Sequence, residues 1–471
     1  MFEDLSVSYS ILLIVCLIAA CGFEFVNGFH DTANAVATVI YTNSLKPWSA
    51  VILSGVMNFT GVLIGGVGVA VGIINLLPVE SLVDQDISHS ISMVMALLIS
   101  AITWNLLTWY MGIPSSSSHT LIGSILGVGI AYSFLPGANE AAVNWEKTKE
   151  IGLSLLISPL FGFSMTIVMM YVIRSFTKKT KYGDTLFKEP KKNAPPPIGI
   201  RTILILTCSG VSLSHGSNDG QKGVGLVMLI LIGIIPPFFA LNGRMDPSEL
   251  RKPLTRIEAV LDSIDLGPLS QSDKVRLAET RAMTASIITR TENKATVSSI
   301  AKDQRFLIRK DIMLVDRNLK ALVEKEEVRI SHAEAELLRN EIKKVKTITD
   351  YSPTWVIIMI AISLGLGTMI GWKRIVKTIG EKIGKEHLTY AQGASAELVA
   401  ASTIAVSTYL ALPVSTTHVL SSGVAGSMVA SKGVKNLQPD TVRNILLAWF
   451  LTLPVVLILS GTLFLLFRTI F

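Results

Sequence analysis

Long apolar stretches, separated by short polar loops, make up most of the chain. The first half begins with an apolar run that leads into a motif around Asp31 and continues with stretches at about 50–77, 91–112, 114–135 and 151–174. The second half has stretches at about 200–240, 354–372, 391–411, 413–430 and 443–470. Because about 20 apolar residues suffice to cross a bilayer as a helix, the pattern predicts an all-α, polytopic membrane protein. It has five elements in each half, ten in all, or twelve if the first element of each half is broken in two.

One segment, residues 241–350, departs from this pattern because it holds about half of the charged residues of the chain. Its apolar residues recur at helical spacing, most clearly in Leu307–Val328. One face of that run carries Ile308, Ile312, Val315, Leu319 and Leu322. We therefore expect a charged helical insert without a recognisable site. The predicted domains are a first membrane repeat at 1–175, a basic connector at 176–200, the start of a second membrane repeat at 201–240, the insert at 241–350 and the rest of the second repeat at 351–471.

The composition agrees with a membrane protein. Half of the 471 residues are hydrophobic and 16% are charged, and the mean hydropathy is +0.52. The formal net charge is +7, but the positive charges lie in loops, and neither a basic stripe nor an aromatic platform accompanies them. The expected surroundings are therefore a lipid bilayer, and nucleic acid is excluded as an expected partner.

The most informative polar residues form two acidic motifs inside membrane-length apolar segments. Asn27–Ala35 carries His30, Asp31 and Asn34, and Gly216–Gly223 carries Asn218, Asp219 and Lys222 at the matching positions. An ionised carboxylate at the bilayer centre costs roughly 3 kcal/mol even on a lenient scale, so it is normally kept for an ion, a proton or a substrate. The repeated Gly-x-x-Asp core indicates a duplication.

A second pair of motifs supports the duplication. Ile113–Thr120 aligns without a gap with Leu412–Val419, and the two share a Pro, hydroxyl side chains and a His. Matching interruptions in the two halves of a transporter point to a substrate site at the bilayer midplane. We therefore predict two inverted-topology repeats, each with one helix broken at its acidic motif and another broken at its hydroxyl motif.

The hydroxyl motifs have the composition of an anion site. A Pro that ends one element is followed by hydroxyls in the first turn of the next, where backbone N–H groups and the helix dipole favour negative charge. The predicted donors to a small oxyanion are Ser116, Ser117, Ser118, Ser415, Thr416 and Thr417. Helix caps and small packing residues are the alternative interpretation of each run.

The negative charges of Asp31 and Asp219 would repel a bound anion in a medium of low dielectric constant unless positive charge compensates them. Lys222, which we also count among the predicted phosphate-binding residues, is the one permanent cation close to a motif. Sodium ions, a divalent metal or protons must supply the rest of the positive charge, which predicts anion uptake coupled to cations. Further candidates for coupling are Glu24, His30, Asn218 and Glu397. The ring nitrogens of His119, His215 and His418 could also carry protons, because imidazole titrates near physiological pH. Structural hydrogen bonding is the alternative for each.

Charged loops set the expected orientation. The connector from Arg174 to Arg201 and the loop at 373–385 are both rich in Lys and Arg, which places them in the cytoplasm by the positive-inside rule. One span separates the second loop from the insert, so we expect residues 241–350 outside. An odd number of spans in each half then makes the repeats antiparallel with both termini outside. The acidic loop at 78–86 falls on the same outer face.

Together the four motifs resemble those of the inorganic phosphate transporter (PiT) family, and they are particularly similar to those of bacterial low-affinity phosphate permeases. The likeness covers residues 10–240 and 351–470 and extends only weakly to the insert. It implies phosphate held between the repeats, and among the hydroxyls of the first repeat it singles out Ser116 and Ser118. The phosphate and cation sites implied by the resemblance are lined by Asp31, Asn34, Ser116, Ser118, Asp219, Ser415, Thr416 and Thr417.

The first acidic motif departs from the general family pattern, which reads Gly-Ala-Asn-Asp where this chain has Gly28-Phe29-His30-Asp31. The bacterial low-affinity branch that shares this difference is associated with proton-coupled uptake of phosphate, including neutral metal–phosphate complexes. We therefore expect proton-coupled import of phosphate across the bacterial inner membrane. The expected ligands are phosphate and a coupling cation, without a further cofactor, and the protein partner considered is a second copy of the chain in a homodimer.

Other functions are open at this point. A sodium-coupled phosphate symporter, or a transporter of another tetrahedral oxyanion such as sulfate or arsenate, would need the same residues. An intramembrane hydrolase could use Ser, His and Asp, but it predicts one asymmetric catalytic set, whereas each motif here occurs twice. A passive channel is a third class. Paired acids within apolar elements favour coupled transport over both, so we expect a transporter and not an enzyme.

Overall fold

The structure is a computed structural model, and it describes residues 6–77, 87–135, 143–191, 194–267, 269–325, 328 and 330–470. Inside the first helix, the side chains of residues 31, 32 and 34 lie outside this description, so only the backbone of the predicted site residues Asp31 and Asn34 is described. The acidic loop at 78–86 is also outside the described residues.

Helices joined by turns make up the described chain. Their bounds are α1 Val7–Tyr41, α2 Pro47–Ile64, α3 Gly68–Ile74, α4 Ile87–Tyr110, α5 Ser117–Ser133, α6 Trp145–Thr177, α7 Gly183–Leu186, α8 Ile198–Ile234, α9 Pro236–Phe239, α10 Arg251–Ser263, α11 Gln271–Thr291, α12 Lys302–Val323, α13 His332–Lys346, α14 Thr354–Met369, α15 Lys373–Lys377, α16 Tyr390–Tyr409, α17 Thr416–Lys432 and α18 Pro439–Ile470. This confirms the predicted all-α fold class.

Several of these helices are long and apolar enough to cross a membrane. Within the described residues, six helices are long and apolar enough to cross a membrane. A seventh span results if the segments Thr354–Met369 and Lys373–Lys382, which are bent by 53° relative to each other, are counted as one broken span. The number is below the predicted ten to twelve partly because the stretches at 114–135 and 413–430 become helices of only 17 residues. A full crossing takes about 20 residues. The chain is nevertheless clearly multi-pass.

The acidic motifs do not break their helices, which corrects the sequence prediction. α1 and α8 run unbroken through them for 35 and 37 residues. The glycines of the motifs allow close packing instead. A Cβ atom on Gly28 would collide with the backbone of Gly367 in α14, and one on Gly216 would collide with the backbone of Asn58 in α2. Small residues at such crossings let membrane helices approach closely.

The hydroxyl motifs do interrupt the chain, as predicted. α4 and α5 form a first hairpin and α16 and α17 form a second, and each turn reverses through a residue with positive φ. These residues are Gly112, with φ of +69°, and Ala411, with φ of +57°, which stand at aligned positions of the two motifs. Ala411 adopts a conformation that costs a non-glycine residue roughly 1–2 kcal/mol. The same backbone path is thus used in both halves.

Each hairpin packs against the long helix of the other half. α5 packs on α18, and α17 packs on α6. Glycines again allow close contact, because a Cβ atom on Gly127 would meet the backbone of Leu457 and one on Gly162 would meet the backbone of Val419. The exchange of hairpins joins the described residues of Asp4–Ile230 and Pro353–Phe471 into one compact unit.

The described residues of Leu231–Ser352 form a second compact unit, which contains helices α9 to α13. The predicted apolar face of α12 is confirmed, because Ile308, Ile312, Val315, Leu319 and Leu322 are all buried. The buried Arg309 donates to the carbonyls of Ala240 and Thr349, at 3.2 and 2.9 Å, and so connects the two ends of the unit. Asp273 is also buried, and hydrogen bonds from Lys325 and Ser270 lower the pKa of its carboxyl.

Candidate functional site

A buried ion pair on α8 forms the centre of the candidate site. Asp219 and Lys222 are 0% and 2% exposed, and Lys222 Nζ lies 2.6 Å from Asp219 Oδ1. The helix places the two side chains on one face because they are three residues apart. A single charge buried at membrane depth is costly, so each member of the pair lowers the cost of the other.

The tips of both hairpins present helix N-termini with the same local structure. Ser116 caps α5 and accepts a hydrogen bond from the backbone N–H of His119, at 3.2 Å. Ser415 caps α17 and accepts one from the backbone N–H of His418, also at 3.2 Å. The remaining N–H groups of a first turn have no partner within their helix and carry the positive end of its dipole. Both tips are therefore suited to an anion.

Asp219 contacts both of these helix N-termini. Its Oδ2 atom lies 3.4 Å from Ser117 Oγ and 3.5 Å from Thr416 Oγ1, and these two hydroxyls occupy aligned positions in the motifs. His215 Nε2 lies 3.4 Å from the same oxygen. The hydroxyl contacts are at the upper limit of hydrogen-bond length. Contacts of this length are weak hydrogen bonds.

Lys222 connects the two hairpins. In addition to its bond with Asp219, Nζ donates to Ser118 Oγ in the first hairpin, at 2.5 Å, and to the carbonyl of Val414 just before α17, at 2.8 Å. Ser118 Oγ in turn donates to the same carbonyl, at 2.8 Å. A lysine ammonium has three N–H donors, and all three have protein acceptors here. The sequence could not indicate the Val414 carbonyl, because a backbone ligand has no residue signature.

Two neighbouring amides hold the surrounding elements in place. Asn218 Nδ2 donates to Thr408 Oγ1 and to the Leu412 carbonyl, at 3.0 and 3.2 Å, and its Oδ1 accepts from the Val414 N–H at 3.3 Å. Gln221 Nε2 donates to the Gly65 carbonyl at the end of α2, at 2.5 Å, and its Oε1 accepts from the Val69 N–H in α3, at 2.8 Å. Gln221 was not predicted to matter, although its place inside the second acidic motif was a usable signal.

Two further carboxyls are fully buried against α8. Glu24 Oε2 accepts from Asn27, at 3.3 Å, and its carboxyl lies against Gly223, next to Lys222. Glu397 Oε2 accepts from Thr207, at 2.5 Å. In both residues, Oε1 has no hydrogen-bond partner within the described part of the chain. Glu24 and Glu397 are the two glutamates predicted from the sequence to take part in coupling phosphate uptake to cations.

The predicted histidines contact several different elements. His30 Nε2 lies 2.8 Å from the carbonyl of Asn105 in α4. The rings of His119 and His418 face each other with centroids 4.6 Å apart, and His418 stacks on Trp449 with centroids 3.9 Å apart. These ring contacts pack the two hairpin tips against each other and against α18.

The structure thus brings some of the predicted site residues into direct contact with one another, whereas others cap the helices that carry them. Asp219, Lys222, Ser117, Ser118 and Thr416 lie in direct contact, Ser116 and Ser415 are helix caps, and Thr417 is buried beside its cap. Helix N-termini and hydroxyl groups are donors that suit a small tetrahedral oxyanion.

Comparisons with known proteins agree with such a ligand. Residues 27–460 match the phosphate transporter family. The chain is 39% identical to the low-affinity inorganic phosphate transporter PitA of Escherichia coli strain K12, over 98% of each chain. It is 30% identical to a probable low-affinity inorganic phosphate transporter of Bacillus subtilis strain 168, over 99% of this chain and all of that one.

A solved structure supports the fold. The sodium-dependent phosphate transporter aligns with a TM-score of 0.56 and 18% sequence identity, over 98% of this chain and 100% of that chain. At this identity the likeness extends to the architecture alone.

Proposed function

Because this chain belongs to the phosphate transporter family, we propose that its two hairpin tips, beside the Asp219–Lys222 pair, bind the phosphate that it carries across the bacterial inner membrane. The observation that carries this proposal is the meeting of two capped helix N-termini at one buried carboxylate. Phosphate would take over the hydroxyls of Ser117 and Thr416, whose contacts with Asp219 are long. The proposed site also includes Asn34, Ser116, Ser118, Asp31, Ser415 and Thr417.

The charges in the site favour a cargo that is neutral overall. Lys222 already balances Asp219, so no positive charge is left for a phosphate dianion, and an unbalanced charge is costly in a medium of low dielectric constant. Protons taken up with phosphate would remove the excess charge. A divalent metal bound to phosphate would do the same, because the complex enters as a neutral particle. We therefore propose that phosphate enters with protons, free or bound to a metal.

Three carboxyls are suited to take up the coupling protons. Glu24 and Glu397 are buried with one oxygen unpartnered among the described residues, and a bare carboxylate in such a setting is costly until it is protonated. Asp31 is the third, because the position aligned with Lys222 is Asn34, which carries no charge. The first repeat therefore needs a cation from outside the protein.

Uptake of labelled phosphate into proteoliposomes tests the proposal. We expect accumulation when a proton gradient is imposed, faster uptake when magnesium is present with phosphate, and no accumulation from a sodium gradient alone. Accumulation driven by sodium alone would establish the alternative of sodium symport. Equilibration without accumulation under any gradient would indicate a passive channel. Competition by unlabelled arsenate and sulfate measures how far the site distinguishes phosphate from other tetrahedral oxyanions.

A further inference from the structure

The ammonium group of Lys222 sits in a cage made only of oxygen atoms. Its three neighbours are Asp219 Oδ1 at 2.6 Å, Ser118 Oγ at 2.5 Å and the Val414 carbonyl at 2.8 Å. All of these residues are at most 2% exposed. A carboxylate, a hydroxyl and the carbonyl of an unwound segment are the ligands with which transporters bind sodium and other hard cations. The side chain of Lys222 thus occupies a site built for a cation.

The first repeat lacks this internal cation. Aligning the two acidic motifs pairs Asp219 with Asp31 and Lys222 with Asn34. Both repeats therefore keep the acid, but only the second carries a permanent positive charge one helical turn later. The two acidic motifs therefore differ in charge, whereas the two hairpin tips have the same capping.

We propose that the Lys222 ammonium is a tethered counter-cation that fills a monovalent-cation site of the second repeat. This half of the site then binds no mobile cation during transport, and coupling to mobile cations is left to the rest of the site. The inference rests on the proposed function for its link to phosphate. In this proposal Lys222 does not contact phosphate directly, because all three N–H donors of its ammonium group already have acceptors on the protein. Lys222 acts as a positioning residue through Asp219 and the hairpin tips.

Replacing Lys222 by the residue of the aligned position tests the idea. Lys222→Asn removes the ammonium and leaves room for a small cation beside Asp219. With the proton gradient held constant, we expect phosphate uptake by the wild type to be the same in choline and in sodium salts. Uptake by Lys222→Asn should fall at least about tenfold in choline, because Asp219 loses its buried partner. Sodium or methylammonium should restore most of it, and tetramethylammonium should not.

Stability provides a readout that does not require transport. Sodium or methylammonium should raise the unfolding temperature of detergent-solubilised Lys222→Asn in a saturable manner, without phosphate, and should leave that of the wild type unchanged. If phosphate transport by the wild type failed while this cation effect appeared, the proposed function would be wrong and the cation site would stand. A folded Lys222→Asn protein that ignores sodium and methylammonium in both assays would overturn the inference.

A double substitution keeps the test decisive if the single variant does not fold. Asp219→Asn with Lys222→Asn removes both charges, so no uncompensated charge is left buried. If Lys222 serves only to balance Asp219, this variant should fold and unfold near the wild-type temperature, and sodium or methylammonium should not change that temperature. A double variant as unstable as Lys222→Asn would show that Lys222 is needed for its packing and not for its charge, and that result would refute the tethered counter-cation.

Discussion

The hydroxyl of Thr416 gives the sharpest prediction about phosphate binding. Oγ1 lies 3.5 Å from Asp219 Oδ2 in the first turn of α17, a contact near the limit of a hydrogen bond. Thr416→Val keeps the shape of the side chain and removes its hydroxyl. We therefore expect a clear loss of affinity for phosphate.

The size of that loss follows from one missing donor. A buried acceptor left without its hydrogen bond costs about 1–3 kcal/mol, which corresponds to a dissociation constant for phosphate about 5- to 150-fold higher. Equilibrium binding of labelled phosphate to the purified protein measures the constant directly, and the phosphate dependence of initial uptake rates provides a second value. Ser117→Ala should have an effect of similar size, because Ser117 Oγ lies at 3.4 Å from the same Asp219 oxygen.

Two control variants separate the hydroxyl from packing. Thr416→Ser returns the hydroxyl and loses a methyl group, so it should restore most of the affinity. Ser124→Ala removes a buried hydroxyl from α5 that donates to the Leu121 carbonyl at 2.7 Å, and it should leave the affinity unchanged. Equal affinities for the Val and Ser variants at position 416 would refute a role for this hydroxyl in binding phosphate.

Four other predictions follow from the same structure and sequence. Asp31→Asn should abolish coupled phosphate uptake and leave membrane insertion intact, because losing an intramembrane charge eases insertion. Asp219→Asn should abolish coupled uptake because it leaves the buried Lys222 ammonium without its carboxylate. Normal uptake by either variant would remove that residue from the mechanism. Glu397→Gln should block accumulation driven by a proton gradient while phosphate-for-phosphate exchange persists, and equal loss of both would count against a proton role. A cysteine at the exposed Ser299, in a chain without its native cysteines, should react with impermeant reagents only from outside, and labelling from the cytoplasm would reverse the topology. The pKa of the Asp273 carboxyl is lowered from its ordinary value of 3.8, so its ion pair stabilises the insert at pH values above 3.8. This contribution to stability disappears as the pH falls through the folded-state pKa of Asp273. Hydrogen exchange of the insert in the full chain should show this loss, and Asp273→Asn should remove the pH dependence.

The sequence predicted the parts of the fold that depend on local pattern. Apolar periodicity located the long helices and the buried face of α12. Proline and hydroxyl spacing located the two hairpin turns. The i,i+3 spacing of Asp219 and Lys222 made them natural partners on one helix face. Each of these features needs only neighbours along the chain.

The features that sequence analysis missed depend on contacts between distant segments. The glycines of the acidic motifs suggested broken helices, whereas Gly28 and Gly216 allow other backbones to approach continuous ones. The exchange of hairpins between the halves places Ser117 and Thr416 on opposite sides of one carboxylate, and no local pattern carries that information. The carbonyl of Val414 is likewise identified only by where the backbone lies.

The central claim is that phosphate binds between the two hairpin tips, beside Asp219. An experimental structure of the wild-type protein, determined with and without phosphate under otherwise identical conditions, tests it most directly. We predict density for one tetrahedral anion within hydrogen-bond distance of the hydroxyls of Ser117 and Thr416 and of the first N–H groups of α5 and α17. Phosphate density at another place, with the contacts of these hydroxyls to Asp219 unchanged, would contradict the account.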